Sequence, residues 1–161
     1  MMFCMTVLTN PNPELRKKSL LVDEARFGTE ELVAFGEELK GAMKEDNGIG
    51  IASPQVGVHD RIIVVDLDDT GPTVFVNPKI VSRSLSKISF EEGCLSVPGI
   101  YGMVERHKKV KVKARTIDGL PVTLELKNIM AVVFQHEIDH LDGILFIDKV
   151  TSFTHGGDVV V

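Results

Sequence analysis

Residues Phe134 to Phe146 read FQHEIDHLDGILF, and within them His136 and His140 stand four apart with Glu137 directly after the first histidine. On a helix, positions i and i+4 share one face about 6 Å apart, so both imidazoles can turn a nitrogen to one metal ion. Glu137 then lies beside that ion, where it can hold a proton. The neighbours Val132, Val133, Phe134, Ile138 and Leu141 are apolar. Imidazoles buried among them are costly unless something satisfies them. Coordination is one way to do so, and hydrogen bonds to backbone are another.

A catalytic ion normally takes three protein ligands and keeps one position open. The extended pattern HExxHxxGxxH matches here through Gly143, but its last histidine falls on Phe146, which cannot coordinate. The alternative of a downstream glutamate also fails, because none of the 21 residues after His140 is Glu. Asp142, Asp148, His155 and Asp158 remain on that side, in or near a tail, TSFTHGGDVVV, that does not read as a helix. The third ligand is therefore sought upstream. Cys94, in EEGCLSVPG, is the best candidate, because it is a thiol where a strand gives way to a Pro/Gly-rich turn. Cys4, the only other cysteine, competes from a chain end, where order is least assured.

The elements that must position these residues can be read from periodicity. From Thr29, TEELVAFGEELKGAMKE offers an N-cap, an acidic first turn, and Leu32, Phe35, Leu39 and Met43 at helical spacing. GIGIASPQVGVHD is rich in Gly and Pro and reads as a loop entering the strand RIIVVDL. TVFVNPKIVS reads as a second strand, and KISFEEGCLSVPGIYG as a third that Pro98 and Gly99 break. VKVKART, IDGL and PVTLEL form a β-hairpin signal with Asp118-Gly119 at the turn. Asn128 is placed to cap a helix beginning IMAVVFQHEIDHLDG, which Gly143 ends. That helix is apolar nearly all round, so burial is expected. The fold class is α+β, with mixed or antiparallel sheets packed around a central buried helix that carries HExxH.

At 161 residues the chain is expected to form one catalytic domain over 1–161. A net charge of −5 argues against DNA or other nucleic acid as the main ligand. The local exception runs from Arg106-His107-Lys108-Lys109 to Lys111, Lys113 and Arg115; its lysines alternate with Val110, Val112 and Ala114 and read as the wet face of a strand. No apolar run approaches the roughly 20 residues needed to cross a membrane, and no export signal is seen, so a reducing cytoplasm is expected. The two thiols are then free or metal-bound.

Three motifs in order, GIGIASPQ (Gly48 to Gln55), EGCLS (Glu92 to Ser96) and QHEIDH (Gln135 to His140), resemble those of the peptide deformylase family. PELRKK near the start and HLDGILF with its following Asp-Lys extend the resemblance over nearly the whole chain. The resemblance implies removal of the formyl group from the initiator methionine of nascent polypeptides. It implies that Cys94, His136 and His140 bind the metal and that Glu137 is general acid and base. Gln55 and the backbone N–H of Leu95 would face the formyl oxygen. Ile49 and Gly50 would present backbone to the peptide, and Ile49, Val132, Val133 and Tyr101 would shape the methionine pocket. The implied metal is Fe2+ in vivo, with Zn2+, Ni2+ or Co2+ able to replace it in preparations. Glu92 and Arg106 look like the family's charged pair beside the site. The implied partner is an N-formylmethionyl nascent peptide; the resemblance also brings in the ribosome, on which some family members dock through a basic C-terminal helix, a mode that the short, non-basic tail here does not favour. On the residues alone, a metalloprotease or other amidase using the same centre and a metal held as a structural staple stay open, the latter opposed by a count of three ligands where a closed site takes four.

Overall fold

The computed structural model describes residues 5–159. Ile62, Ile63, Val64 and Val65 are four apolar residues in succession, all fully buried, so the strand they form must meet apolar neighbours on both faces. That strand, β2 (Ile62–Leu67), lies between β1 (Gly50–Ala52) and β3 (Gly71–Arg83). Then follow β6 (Lys109–Arg115) and β7 (Pro121–Lys127), giving a five-stranded sheet in the order β1-β2-β3-β6-β7. A second sheet has three strands, β4 (Lys87–Cys94), β5 (Val97–His107) and β8 (Val150–His155), in the order β4-β5-β8. Every strand pair is antiparallel.

Among the described residues, two α-helices accompany the sheets. The first, α1 (Glu30–Glu45), starts at Thr29, whose side chain accepts a hydrogen bond from the Leu32 N–H. Its Leu32, Leu39 and Met43 pack with Ile51, Ile62, Val64 and Val76 on one face of the large sheet. The second, α2 (Ile129–Leu141), packs on the opposite face, where Phe134, Ile138 and Leu141 meet Ile63, Val65, Phe75, Val110 and Val112. Its residues from Ala131 to Ile138, with His140 and Leu141, are all buried, as an all-round apolar helix requires. Gly143, at φ 75°, ends it: the Gly143 N–H donates to the His140 carbonyl and the Ile144 N–H to that of Asp139. The architecture is the expected α+β one.

Several local expectations are corrected. GIGIASPQ is not all loop, because Gly50 to Ala52 pair with Val65 to Ile63 as an edge strand and Ser53–Val56 form a 3-10 turn. Tertiary pairing overrides the poor strand propensity of glycine there. Pro98 and Gly99 do not break a strand. The chain reverses at residues 94–97, where Cys94 pairs with Val97, and Pro98 sits second in β5, near the strand start where its missing N–H costs no ladder bond. Asn128 makes no side-chain cap; it takes φ 55° and contributes only its carbonyl, which accepts from the Val132 N–H. The tail contributes a strand, β8, along β5.

Candidate metal centre

α2 delivers His136, Glu137 and His140 into one wall of a cleft, and the β4–β5 reversal delivers Cys94 from the other sheet. The sulfur of Cys94 lies 3.2 Å from Nε2 of His140, and the two imidazole rings stand 5.0 Å apart between centroids. The donor atoms of Cys94, His136 and His140 all fall within 4.8 Å of one another, and among the described residues these three form the only such group. Cys94 is a free thiol, and Cys4 lies outside the described residues.

A metal ion fits this donor set. Bonds of about 2.0–2.3 Å in tetrahedral array put ligand atoms roughly 3.3–3.6 Å apart, close to the spacing of Cys94 and His140. One thiolate with two imidazoles is a mixture that holds transition metals. Oε2 of Glu137 and Nδ1 of His140 are buried with no hydrogen-bond partner among the described residues, so a polar occupant beside Glu137 is wanted. The electrostatics agree. Burial opposes charge on His136, yet its bonds to Cys94 and Glu92 outweigh burial and hold its pKa well above the ordinary histidine range. Burial, reinforced by the charge on His136, pushes His140 well below its usual value, keeping that imidazole neutral and able to ligate. Burial also raises Glu137 to about 7.

The candidate ligands are held by their neighbours. Nδ1 of His136 lies 2.6 Å from Oε1 of Glu92, which leaves Nε2 of that ring for an ion. Both oxygens of Glu92 accept from Arg106, at 2.8 and 2.9 Å, and the third guanidinium nitrogen donates to Asp139 at 2.5 Å. Burial alone would raise the Glu92 carboxyl, but the bonds from Arg106 and His136 outweigh it and bring the pKa down to about 2. Asp139 is in turn bound by Lys149 at 2.7 Å. Glu92 and Arg106 are thus a buried pair that touches a candidate ligand. Asp139 escaped sequence reasoning, since a charged residue late in a helix looks like any solvated one.

Gln55 is 1% exposed and its amide is fixed at both ends. Its Oε1 accepts from the Ala52 N–H at 2.9 Å, so its Nε2 faces Cys94 Sγ at 3.6 Å and Ser96 Oγ at 3.1 Å. The Ser96 hydroxyl, by accepting from that amide, helps to aim it, a role that the motif EGCLS does not announce. Gly50 has a steric reason to be glycine: a Cβ there would stand 2.5 Å from Oε1 of Glu137. Ile49, Gly50, Leu95, Tyr101, Val132 and Val133 all line the same cleft, of about 860 Å³, together with Gln55, Cys94, His136 and Glu137. Of the downstream candidates set aside from the sequence, Asp148 is bound by Arg16 and His155 is exposed beside Tyr101.

The chain matches the family described as Polypeptide deformylase over residues 4–155. It is 40% identical to the peptide deformylase of Desulforudis audaxviator over 146 residues, covering 91% of this chain and 93% of that one. It is 44% identical to peptide deformylase 2 of Vibrio cholerae over 153 residues, covering 93% and 88%. Among solved structures, the Met-Ala-Ser-bound class I type b peptide deformylase of Acinetobacter baumannii superposes with a TM-score of 0.88 at 34% identity, covering 93% of this chain and all of that one. A probable peptide deformylase from synechococcus phage S-SSM7 gives 0.84 at 42% identity, covering 90% and 99%. With these matches spanning nearly its whole length, the chain belongs to the peptide deformylase family.

Proposed function

We propose that this chain is a metal-dependent hydrolase that removes the N-formyl group from the initiator N-formylmethionine of nascent polypeptides and releases formate. The observation that carries the reading is the meeting of Cys94, His136 and His140, donor atoms within 4.8 Å, beside the unpartnered buried carboxylate of Glu137. Cys94, His136 and His140 hold the ion, which is ferrous iron in vivo; Zn2+, Ni2+ or Co2+ suits the same donors in preparations. When bound, a divalent ion polarises a carbonyl and lowers the pKa of water towards 7.

The chain's own residues do the rest. β1 is an edge strand of the large sheet, so a peptide can extend it through the backbone of Ile49 and Gly50. Ile49, Val132, Val133 and Tyr101 offer an apolar seat for the methionine side chain. Water attacks the formyl carbon, and Glu137 takes the proton that the water gives up. Negative charge gathers on the formyl oxygen, where the Gln55 amide and the Leu95 N–H stabilise it. The carbon–nitrogen bond then breaks, and Glu137 passes its proton to the departing amine. The described residues act as one catalytic domain in the cytoplasm, where the ribosome presents the substrate.

Formate release from formyl-Met-Ala tests this reading, run beside an internally blocked peptide. Glu137→Gln should lower kcat by at least about 100-fold while metal content stays at one ion per chain. Undiminished turnover in that variant, or hydrolysis of the internally blocked peptide by the parent enzyme, overturns it.

A further inference from the structure

Residues 5–10 belong to no helix or strand, yet they reach both halves of the site. The Leu8 N–H donates to the Gln55 carbonyl at 2.7 Å, and the Asn10 N–H donates to the Ser96 carbonyl at 2.8 Å. The side chains between them divide as in extended backbone, where neighbours point to opposite sides. Met5 and Val7 pack, as Leu95 does, against the cluster that holds Met43 and Ile51. Leu8 packs, as Cys94 does, against the cluster of Leu15, Val97 and Phe146. The segment thus runs between two cores and borders the Cys94-Leu95-Ser96 turn on each side. Its far end is anchored by a 3-10 turn, Pro13–Arg16, in which Leu15 is fully buried and Glu14 lies 2.6 Å from Nε2 of His59.

The Gln55 amide and the Leu95 N–H must converge on one oxygen, but they come from different sheets. Gln55 sits in the 3-10 turn that follows β1 of the large sheet, and Leu95 in the reversal between β4 and β5 of the small one. The side-chain link between these two pieces runs through Gln55 Nε2, at 3.1 Å from Ser96 Oγ and 3.6 Å from Cys94 Sγ. An amide nitrogen carries two hydrogens, so with one on Ser96 the other is left for a substrate oxygen. A firmer side-chain hold on Gln55 would consume the donor that the reaction needs. The bonds from Leu8 and Asn10 grip backbone carbonyls instead, and they leave that amide free to donate.

We infer that residues 7–10 are a positioning strap: by tying the Gln55 turn to the Ser96 turn, they set the gap between the two donors that meet the formyl oxygen. Leu8 and Asn10 act through Gln55 and Leu95 and need not touch substrate. This role rests on the proposed deformylase reaction. Donors placed for the transition state act on kcat rather than on substrate binding, and a misplacement of about 1 Å can cost about 100-fold.

Leu8→Pro and Asn10→Pro each remove one N–H of the strap. Assayed for formate release from formyl-Met-Ala well below their melting temperatures, each should lose about 10–100-fold in kcat, with KM within about threefold of the parent and metal content unchanged. In a Gln55→Ala background, Leu8→Pro should cost less than about threefold more, because the group it positions is gone. Ile117→Ala, a packing loss beside Gly36 of α1, should melt lower and keep the parental kcat. Amide hydrogen exchange on the parent chain gives a readout that needs neither turnover nor a folded variant: the Leu8 and Asn10 N–H groups should exchange at least about 100-fold more slowly than in an unstructured peptide. Unprotected exchange at either amide overturns the strap. So does parental kcat in either folded proline variant, a loss carried by KM, an undiminished loss in the Gln55→Ala background, or an equal loss of kcat in Ile117→Ala. Absence of formate release by the parent chain overturns the deformylase reading instead.

Discussion

Arg106→Met is the substitution whose cost can be worked most directly from the structure. Arg106 is 3% exposed and makes three charge-assisted bonds, two to Glu92 and one to Asp139. Methionine retains much of the side-chain length but leaves Glu92, itself 5% exposed, as a buried carboxylate facing only His136. Breaking a buried pair by removing one partner costs about 3–5 kcal/mol, because the other charge is stranded. In a chain of this size each kcal/mol moves the melting temperature by roughly 2–4 °C, so a fall of roughly 6–20 °C is expected by calorimetry. The cause can be separated from lost packing by adding Glu92→Gln, which removes the stranded charge. If stranding is the cost, the double variant melts above Arg106→Met alone, and a double-mutant cycle returns a large coupling. Metal affinity should fall about 10–100-fold in both, since the partner that orients His136 is disturbed or neutralised. A melting temperature within 2 °C of the parent for Arg106→Met, or strict additivity of the two substitutions, refutes the reasoning.

Two further outcomes follow from the site. In Gly50→Ala the new Cβ would stand 2.5 Å from Glu137 Oε1 and 2.9 Å from its Cδ, well inside contact distance, so the carboxylate must leave its place. Formate release should drop by about 10²–10⁴ with metal content intact, and turnover within threefold of the parent would show that Glu137 need not sit against β1. Anaerobic loading with Fe2+ should give faster turnover than loading with Zn2+, because the donor set accepts either ion and the activity is proposed for iron; equal turnover at equal metal occupancy would count against that assignment.

The parts of the site legible in the sequence are those written in residue type and short spacing. His136, Glu137 and His140 needed only helical periodicity, and α2 was recognisable because its apolar residues run all round it. Cys94 was reached by eliminating downstream ligands, and it does meet the histidines across two sheets and a helix. What escaped is written in tertiary contact. Asp139 acquires its role from Arg106, 33 residues earlier on β5. β1 was hidden because Gly50 and its neighbours have low strand propensity, and only pairing with β2 makes them a strand. β8 was hidden because its residues lie mostly exposed, so no alternation of apolar and polar residues marks them.

The same register that builds the core also sorts the charge. Because side chains alternate across a strand, burying Val110, Val112 and Ala114 against α2 forces Lys109, Lys111 and Lys113 onto the far face. The sheet itself therefore stands between the lysine lattice and the helix that carries the histidines. No lysine or arginine lines the catalytic cleft among the described residues, whereas Glu45, Asp46 and Glu91 do. That separation is why reversing Lys109 and Lys113 should leave metal content and formate release at parental levels, while a change at Glu92 or Arg106 should reach the metal.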